Sequence, residues 1–164
     1  MIRVGGVGWS VPDSRVTCIL TVYEASQYLR QAIQSVFDQT YSDWQLLILD
    51  DGSSDPLVPL ICDEATYDRR VRVERFDTTV GQRKKSCRYA ALANFGAANS
   101  QGEYLTFLAG DDAYYPDRFE RMVGKLDEGH DVVYGAQDMF GEDGRLRGVR
   151  PAGRVLAEVD CGGL

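Results

Sequence analysis

The chain has 164 residues, 44% of them hydrophobic and 10% aromatic, which is enough for one globular domain with its own core. Eighteen Lys and Arg against 25 Asp and Glu leave a net charge of −7, which argues against a nucleic-acid or anionic-membrane binder. A phosphate ligand would need local help from a metal, a helix N-terminus or the one dense basic run, Arg83-Lys84-Lys85. No stretch reaches the roughly 18 apolar residues that span a bilayer and no signal pattern opens the chain, so the expected domain is soluble, without a transmembrane segment, and cytoplasmic, membrane-associated only through a longer parent protein. The cysteines Cys18, Cys62, Cys87 and Cys161 are scattered, with no C-x-x-C pair to suggest zinc or a disulfide framework.

Residues 1–14 carry glycines, a proline and no period, and read as a flexible leader in which Trp9 packs back locally. The remainder, 15–164, reads as one domain, incomplete at its C-terminal residue Leu164. Val16 to Val22 is an apolar, β-branched run typical of a strand buried on both faces. Leu29, Ala32, Ile33, Val36 and Phe37 then recur at helical spacing, with Ser26 as the expected N-cap. Leu46 to Leu49 is a second strand, and Asp50-Asp51-Gly52-Ser53-Ser54-Asp55 is turn chemistry at its end. A helix over Pro56 to Thr66 and a strand over Val71 to Phe76 follow, then a polar, basic loop from Asp77 to Ser86 without a period. Small residues on the Tyr89, Leu92, Ala93, Gly96, Ala97 face would bring the next helix close to the sheet, before a strand over Tyr104 to Leu108. Pro116 opens a helix striped by Phe119, Met122, Val123 and Leu126, a strand is expected at Asp131 to Tyr134, and Gln137 to Gly148 reads as a hairpin around Asp143-Gly144. The alternation predicts an α/β fold in three layers, α/β/α, with a mostly parallel sheet and a ligand at the carboxyl ends of its strands.

Two acidic pairs fall at those ends. Asp50-Asp51 and Asp111-Asp112 would place four carboxylates on one rim, where a hard divalent ion, Mn²⁺ or Mg²⁺, could be held and completed by substrate phosphates. Each pair is also ordinary turn and capping chemistry. Arg83, Lys84, Lys85 and Arg88 could neutralise a diphosphate, and the same run is equally a solvated surface. Thr21 and Tyr23 close the first strand, where hydroxyls could bond a base and the ring stack on it, or could simply finish the core edge. His130, the only histidine, sits at the opposite end from the acidic rim and reads as structural, which speaks against histidine catalysis.

Taken together, Val16 to Tyr23 (VTCILTVY), Ser35 to Trp44 (SVFDQTYSDW), Leu49 to Asp55 (LDDGSSD) and Gly102 to Asp112 (GEYLTFLAGDD) resemble the family 2 glycosyltransferases of the GT-A, Rossmann-like fold, and the likeness runs from about Val16 to Leu164. The resemblance implies nucleobase contacts from Thr21, Tyr23 and Asp51, an approach of Arg83 to base or phosphates, and a ribose and metal site at Asp111 and Asp112. Many relatives read Asp-x-Asp-Asp where this chain has Ala109-Gly110-Asp111-Asp112, so the first carboxylate is absent and its contacts are redistributed. It further implies a nucleoside diphosphate-sugar donor, UDP- or dTDP-linked, and a glycan or other hydroxyl acceptor in polysaccharide or cell-envelope synthesis. The metal would stabilise the leaving diphosphate while a carboxylate base deprotonates the acceptor, inverting the anomeric centre in one displacement. The family places that base well downstream, in an acceptor-binding part, so the catalytic base is expected beyond Leu164 and no residue of this chain is assigned to it. Exposed apolar surface at such an end would favour self-association into a homo-oligomer.

Three other readings share features, one of them a nucleotidyltransferase, for which no glycine-rich, basic signature follows the first strand to cradle a triphosphate. A non-catalytic nucleotide-sugar-binding module would show affinity without turnover. A receiver-like domain also uses acidic residues after strands, but its acidic pair would follow the first strand, where this chain has Thr21-Val22-Tyr23.

Overall fold

In a computed structural model of the chain, residues 1–3 and 14–151 are described. They fall into two compact units, Met1–Val133 and a second that begins at Tyr134.

The first unit is an α/β/α sandwich. Its sheet contains β1 (Ile2–Arg3), β2 (Val16–Val22), β3 (Trp44–Asp50), β4 (Val71–Arg75) and β5 (Tyr104–Ala109) in the order β1-β5-β2-β3-β4. β2 through β5 are parallel and β1 runs antiparallel along β5. Every residue of β2 and β3 is buried, as expected for strands covered on both faces. Alternate residues feed two cores. Cys18, Leu20, Leu46 and Ile48 pack under α1 (Ser26–Phe37), α2 (Leu57–Ala65) and α5 (Arg118–Asp127), through Leu29, Ile33, Val36, Val58, Ile61, Phe119, Val123 and Leu126. Ile19, Leu47, Leu49 and Leu105 face the other way, under Leu92 of α4 (Arg88–Ala98). Burying each such aliphatic side chain stabilises the fold by about 2 kcal/mol. Gly96 lets α4 come close: a β carbon there would stand 2.6 Å from Ile19 Cγ2.

Several elements depart from the sequence expectation. Ile2 and Arg3, in the expected leader, pair with Leu105 and Tyr104, because the outer edge of β5 offers free backbone groups to a short strand. Residues 4–13, including Trp9, lie outside the described set. The strand expected at Asp131–Tyr134 is reduced to an isolated bridge at Val132. There Val133 N donates to Met1 O at 3.0 Å and Met1 N to Val133 O at 2.8 Å, and so short a partner supports no longer ladder. Ser26 is the first residue of α1 rather than its cap: Ala25 takes the cap position and makes no side-chain bond. Pro116 precedes α5 by two residues. The expected loop 77–86 contains a short helix, α3 (Val80–Lys85), nucleated by a capping box between Thr79 and Gln82.

The second unit holds a hairpin, β6 (Gln137–Phe140) with β7 (Leu146–Arg150), turning through Gly144 at φ 72°. Its position along the chain is the one the Asp-Gly pair predicts. Residues 152–164 lie outside the described residues, and with them Cys161 and Leu164, so the expectations of an incomplete domain end at Leu164 and of a catalytic base beyond it fall outside the described structure. Cys18, Cys62 and Cys87 are free thiols. No helix of the described residues is long and apolar enough to cross a membrane.

The parallel register brings the carboxyl ends of four strands level. Thr21 lies opposite Leu49 and Ala109, and Asp50 lies between Val22 and Arg75. The chain runs outward from β2 through β3 to β4, then returns to β5 on the other side of β2. That reversal is the topological switch point at which open α/β sheets receive ligands.

Candidate functional site

The first half of the rim is built around Asp51. Asp50 ends β3 and turns the chain by accepting Ser53 N on its own carboxylate at 3.0 Å. Asp51 N donates to Val22 O at 3.0 Å, fixing the residue against the end of β2. Gly52 follows at φ 77°, and a β carbon there would meet Phe76 O at 2.6 Å and Thr78 N at 2.9 Å, so only glycine lets the segment after β4 pass this close. The passage delivers Thr78, whose hydroxyl donates to Asp51 Oδ1 at 2.8 Å.

Two arginines converge on the same carboxylate, which is 2% exposed. Arg83, on α3, donates Nη1 to Oδ2 at 2.6 Å and lays its guanidinium 3.4 Å from the centre of the Tyr23 ring. Its Nη2 is buried with no acceptor among the described residues. Arg88, the first residue of α4, donates Nη2 to Oδ1 at 2.6 Å and Nε to both oxygens at 3.1 and 3.3 Å, and also donates Nη2 to Thr78 Oγ1 at 3.0 Å. Burial alone would raise the Asp51 pKa. The hydrogen bonds from Arg88 and Thr78 and the charges of both arginines outweigh it and hold the carboxyl below its usual range.

Glu24 ties the β2 exit to the turn below it. It adopts φ 53° and accepts Ser54 N and Oγ, both at 2.7 Å, and Asp55 N at 2.9 Å, while its own N donates to Ser53 Oγ at 3.1 Å. Nothing in the sequence pattern singled out Glu24 or Thr78, because their partners are distant loop groups with no periodicity.

The second half of the rim follows β5. Gly110 N donates to Thr21 O at 2.9 Å, and a β carbon at 110 would stand 3.1 Å from Val22 Cβ, so the acidic pair leaves the sheet beside the end of β2. Thr21 is buried there. Asp111 and Asp112 are both exposed, and partial burial of its carboxyl together with the charge of Asp111 pushes the Asp112 pKa up. The segment after them is pinned by the end of α1. Tyr114 N donates to Ser35 Oγ at 3.1 Å, Gln39 Nε2 donates to Tyr115 O at 2.9 Å, Phe119 N donates to Gln39 Oε1 at 2.9 Å, and Thr40 N donates to Pro116 O at 2.9 Å. Ser35, Gln39 and Thr40 of SVFDQTYSDW are thus the anchors of the stretch that follows the acidic pair.

The expectation that four carboxylates form one cluster is not met: among the described residues no group of three or more His, Cys, Asp or Glu side chains could hold a metal. Asp50 is spent on its turn and Asp51 on two arginines, which compensate the charge of a buried carboxylate. Asp111 and Asp112 remain a pair of hard oxygen donors whose mutual repulsion a divalent cation would relieve, so they fit a cation whose shell is completed by phosphate and water. Of the basic run, Arg83 faces inward and Lys84 and Lys85 are exposed. His130 is exposed as well.

A family model described as glycosyl transferase family 2 matches residues 17–153. The chain belongs to that family. Among its curated relatives, protein CgeD of Bacillus subtilis (strain 168) is 37% identical over 109 residues, covering 66% of this chain and 25% of the relative. A glycosyltransferase of Haemophilus influenzae is 33% identical over 118 residues, covering 72% of this chain and 44% of the relative. Among solved structures, Staphylococcus aureus TarS 1-349 superposes with a TM-score of 0.58 at 18% identity, covering 70% of this chain and 32% of that one. TarS 1-349 in complex with UDP-GlcNAc gives 0.55 at 19% identity, covering 70% and 31%. The mannosyltransferase PcManGT of Pyrobaculum calidifontis, in complex with GDP-Man and Mn²⁺, gives 0.54 at 18% identity, covering 74% and 34%. The fold of this family 2 chain is therefore GT-A, and it spans less than half the length of these relatives and structures.

Within this glycosyl transferase family 2 fold, the residues singled out in sequence take two stations. Tyr23, Asp51 and Arg83 meet in one contact network. Thr21, Asp111 and Asp112 line the adjoining strand ends, joined through the Gly110 to Thr21 bond.

Proposed function

We propose that this chain is the nucleotide-sugar-binding part of an inverting glycosyltransferase, taking a UDP- or dTDP-sugar and serving transfer to an acceptor hydroxyl in polysaccharide or cell-envelope glycan synthesis. The observation that carries the reading is the Tyr23-Arg83-Asp51 network beside the exposed Asp111-Asp112 pair, at the switch point of a family 2 sheet. In the reading, Tyr23 offers a ring face to the base, Thr21 and Asp51 bound its edge, and the buried Arg83 Nη2 supplies a donor that lacks an acceptor among the described residues. Asp111 approaches the ribose, and Asp111 and Asp112 would hold Mn²⁺ or Mg²⁺. The ion would neutralise charge on the departing diphosphate.

That neighbours of the same fold have been solved with UDP-GlcNAc and with GDP-Man and Mn²⁺ supports the donor class and the divalent ion. The base that deprotonates the acceptor is assigned to no residue up to Leu164; the proposal places it in a part of the enzyme outside this chain. The acceptor class, a homo-oligomeric state and a cytoplasmic setting belong to the same proposal.

The test is calorimetric titration with UDP and dTDP, each with and without Mn²⁺, repeated on Asp111→Asn and Asp112→Asn. Metal-dependent binding that a mutant abolishes is the expected result. Absence of heat and of thermal stabilisation with either nucleotide would refute the donor-site assignment.

A further inference from the structure

We propose that Arg88 is the positioning residue of the nucleobase subsite: it fixes the Asp51 carboxylate in place and orientation while Arg83 exchanges its contacts for those of the nucleotide. The inference rests on the reading above that Asp51 and Arg83 meet the nucleotide.

The two arginines hold Asp51 in different ways. Arg88 grips with a fork, placing Nη2 and Nε on Oδ1, Nε again on Oδ2, and Nη2 on Thr78 Oγ1, which itself donates to Oδ1. The result is a closed triangle of Arg88, Thr78 and Asp51. Its arginine stands on the first turn of an eleven-residue helix whose Leu92 and Gly96 are buried against the sheet. A bidentate guanidinium fixes both the position and the plane of a carboxylate.

Arg83 grips at one point, Nη1 on Oδ2, from the six-residue helix α3. Its guanidinium lies on the Tyr23 ring, itself 47% exposed, over a face on which a base would stack, and its Nη2 is buried without an acceptor among the described residues. Arg83 thus occupies ground that a stacked base would claim, and its free donor gains an acceptor when the base arrives. Once its single bond to Oδ2 is given up, a carboxylate 2% exposed needs another cation, and Arg88 with Thr78 already supplies one. The cations paired with Asp51 among the described residues are Arg83 of α3 and Arg88 of α4, so loss of Arg88 leaves the carboxylate dependent on the arginine that must move.

The experiment is calorimetric titration of the 164-residue chain with UDP and Mn²⁺, comparing wild type, Arg88→Ala, Arg88→Lys, Asp51→Ala and the Asp51→Ala/Arg88→Ala double variant, each first checked by thermal melting. Arg88→Ala should weaken UDP by about tenfold, with Arg88→Lys in between, because an ammonium restores charge without the fork. In the Asp51→Ala background, removing Arg88 should change affinity less than about twofold, since its effect passes through Asp51. The acid limb of UDP binding should also move to higher pH in Arg88→Ala, as Asp51 becomes easier to protonate. If Arg88→Ala does not fold, Arg88→Lys carries the comparison. Unchanged affinity in a folded Arg88 variant overturns the proposal, as does a tenfold loss that persists without Asp51, which would make Arg88 a direct ligand. Asp51→Ala binding UDP like wild type would instead overturn the donor-site reading, and the role of Arg88 with it.

Discussion

Two carboxylate stations share one rim and are built on opposite principles. Asp51 is buried, saturated with donors and neutralised by two arginines, so its state is set by the protein. Asp111 and Asp112 are exposed, adjacent and mutually repulsive, and burial with the Asp111 charge pushes Asp112 upward in pKa. At the first station the carboxylate already has its partners, with Arg83 alone left to exchange contacts, and the second station gains most from a ligand. In the proposed reading, a single sheet presents a carboxylate pre-oriented by Arg88 and Thr78 next to a charge pair suited to a cation and a diphosphate.

The comparison breaks most visibly at Asp51. Asp51→Ala should destabilise the fold by about 3 kcal/mol, because it strands two partly buried guanidiniums; the figure is at the low end for a buried pair because both arginines retain some solvent. Urea denaturation should show the loss as a lower midpoint at unchanged slope. A loss below about 0.5 kcal/mol would mean that the arginines are solvated well enough without their partner.

A smaller effect, about 2 kcal/mol, is expected for Gly52→Ala. The residue sits at φ 77°, and its new methyl would press on Phe76 O and Thr78 N. The strain falls on the segment that delivers Thr78 to Asp51, so nucleotide affinity should drop along with the melting temperature. Affinity unchanged at a lowered melting temperature would separate the turn from the subsite.

Acid titration sharpens the same contrast. Asp51 has a folded pKa below its unfolded value, so its contribution is fully present above the unfolded value of about 3.9 and fades as pH falls through the lower folded value. The stability gap between wild type and Asp51→Asn should accordingly be constant near neutrality and shrink only below about pH 4. A gap that already narrows between about pH 7 and pH 5 would contradict a depressed pKa.

What the sequence revealed differs between the stations for a physical reason. Strands buried on both faces announce themselves as unbroken apolar runs, so β2, β3 and β5, and with them the rim that carries both acidic pairs, could be read directly. The helical stripe at Phe119, Val123 and Leu126 was equally plain. The capping box at Thr79 and Gln82 was missed because α3 is too short to show a period, and that hid how Arg83 is aimed. Arg88 looked like one cation among four, since no spacing rule indicates that a residue at the start of α4 will reach a carboxylate 37 positions earlier. Charge convergence likewise misled: four carboxylates in two pairs suggested one acidic cluster, whereas Asp50 turned inward to its own loop. Resemblance to family members supplied Asp51, Arg83 and Asp111 as candidate site residues, while the network that joins Asp51 to Thr78 and Arg88 required the fold.

The smallest effect on stability belongs to the second station, and it is the most discriminating. Asp111→Asn and Asp112→Asn remove one of two neighbouring negative charges at an exposed strand end, so stability should change by no more than about 0.5 kcal/mol, with any gain arising from relieved repulsion. In wild type, UDP with Mn²⁺ at about 100 times its dissociation constant should stabilise the folded state by about 2.7 kcal/mol, and either mutation should remove most of that increment. Mn²⁺ without nucleotide should give little stabilisation, because two carboxylates alone leave most of the ion's shell to water. A mutant that retained the full increment would show that the donor is held without this pair. A mutant that lost intrinsic stability on the scale of Asp51→Ala would show that the pair is structural, and the division between a station set by the protein and one set by its ligand would not hold.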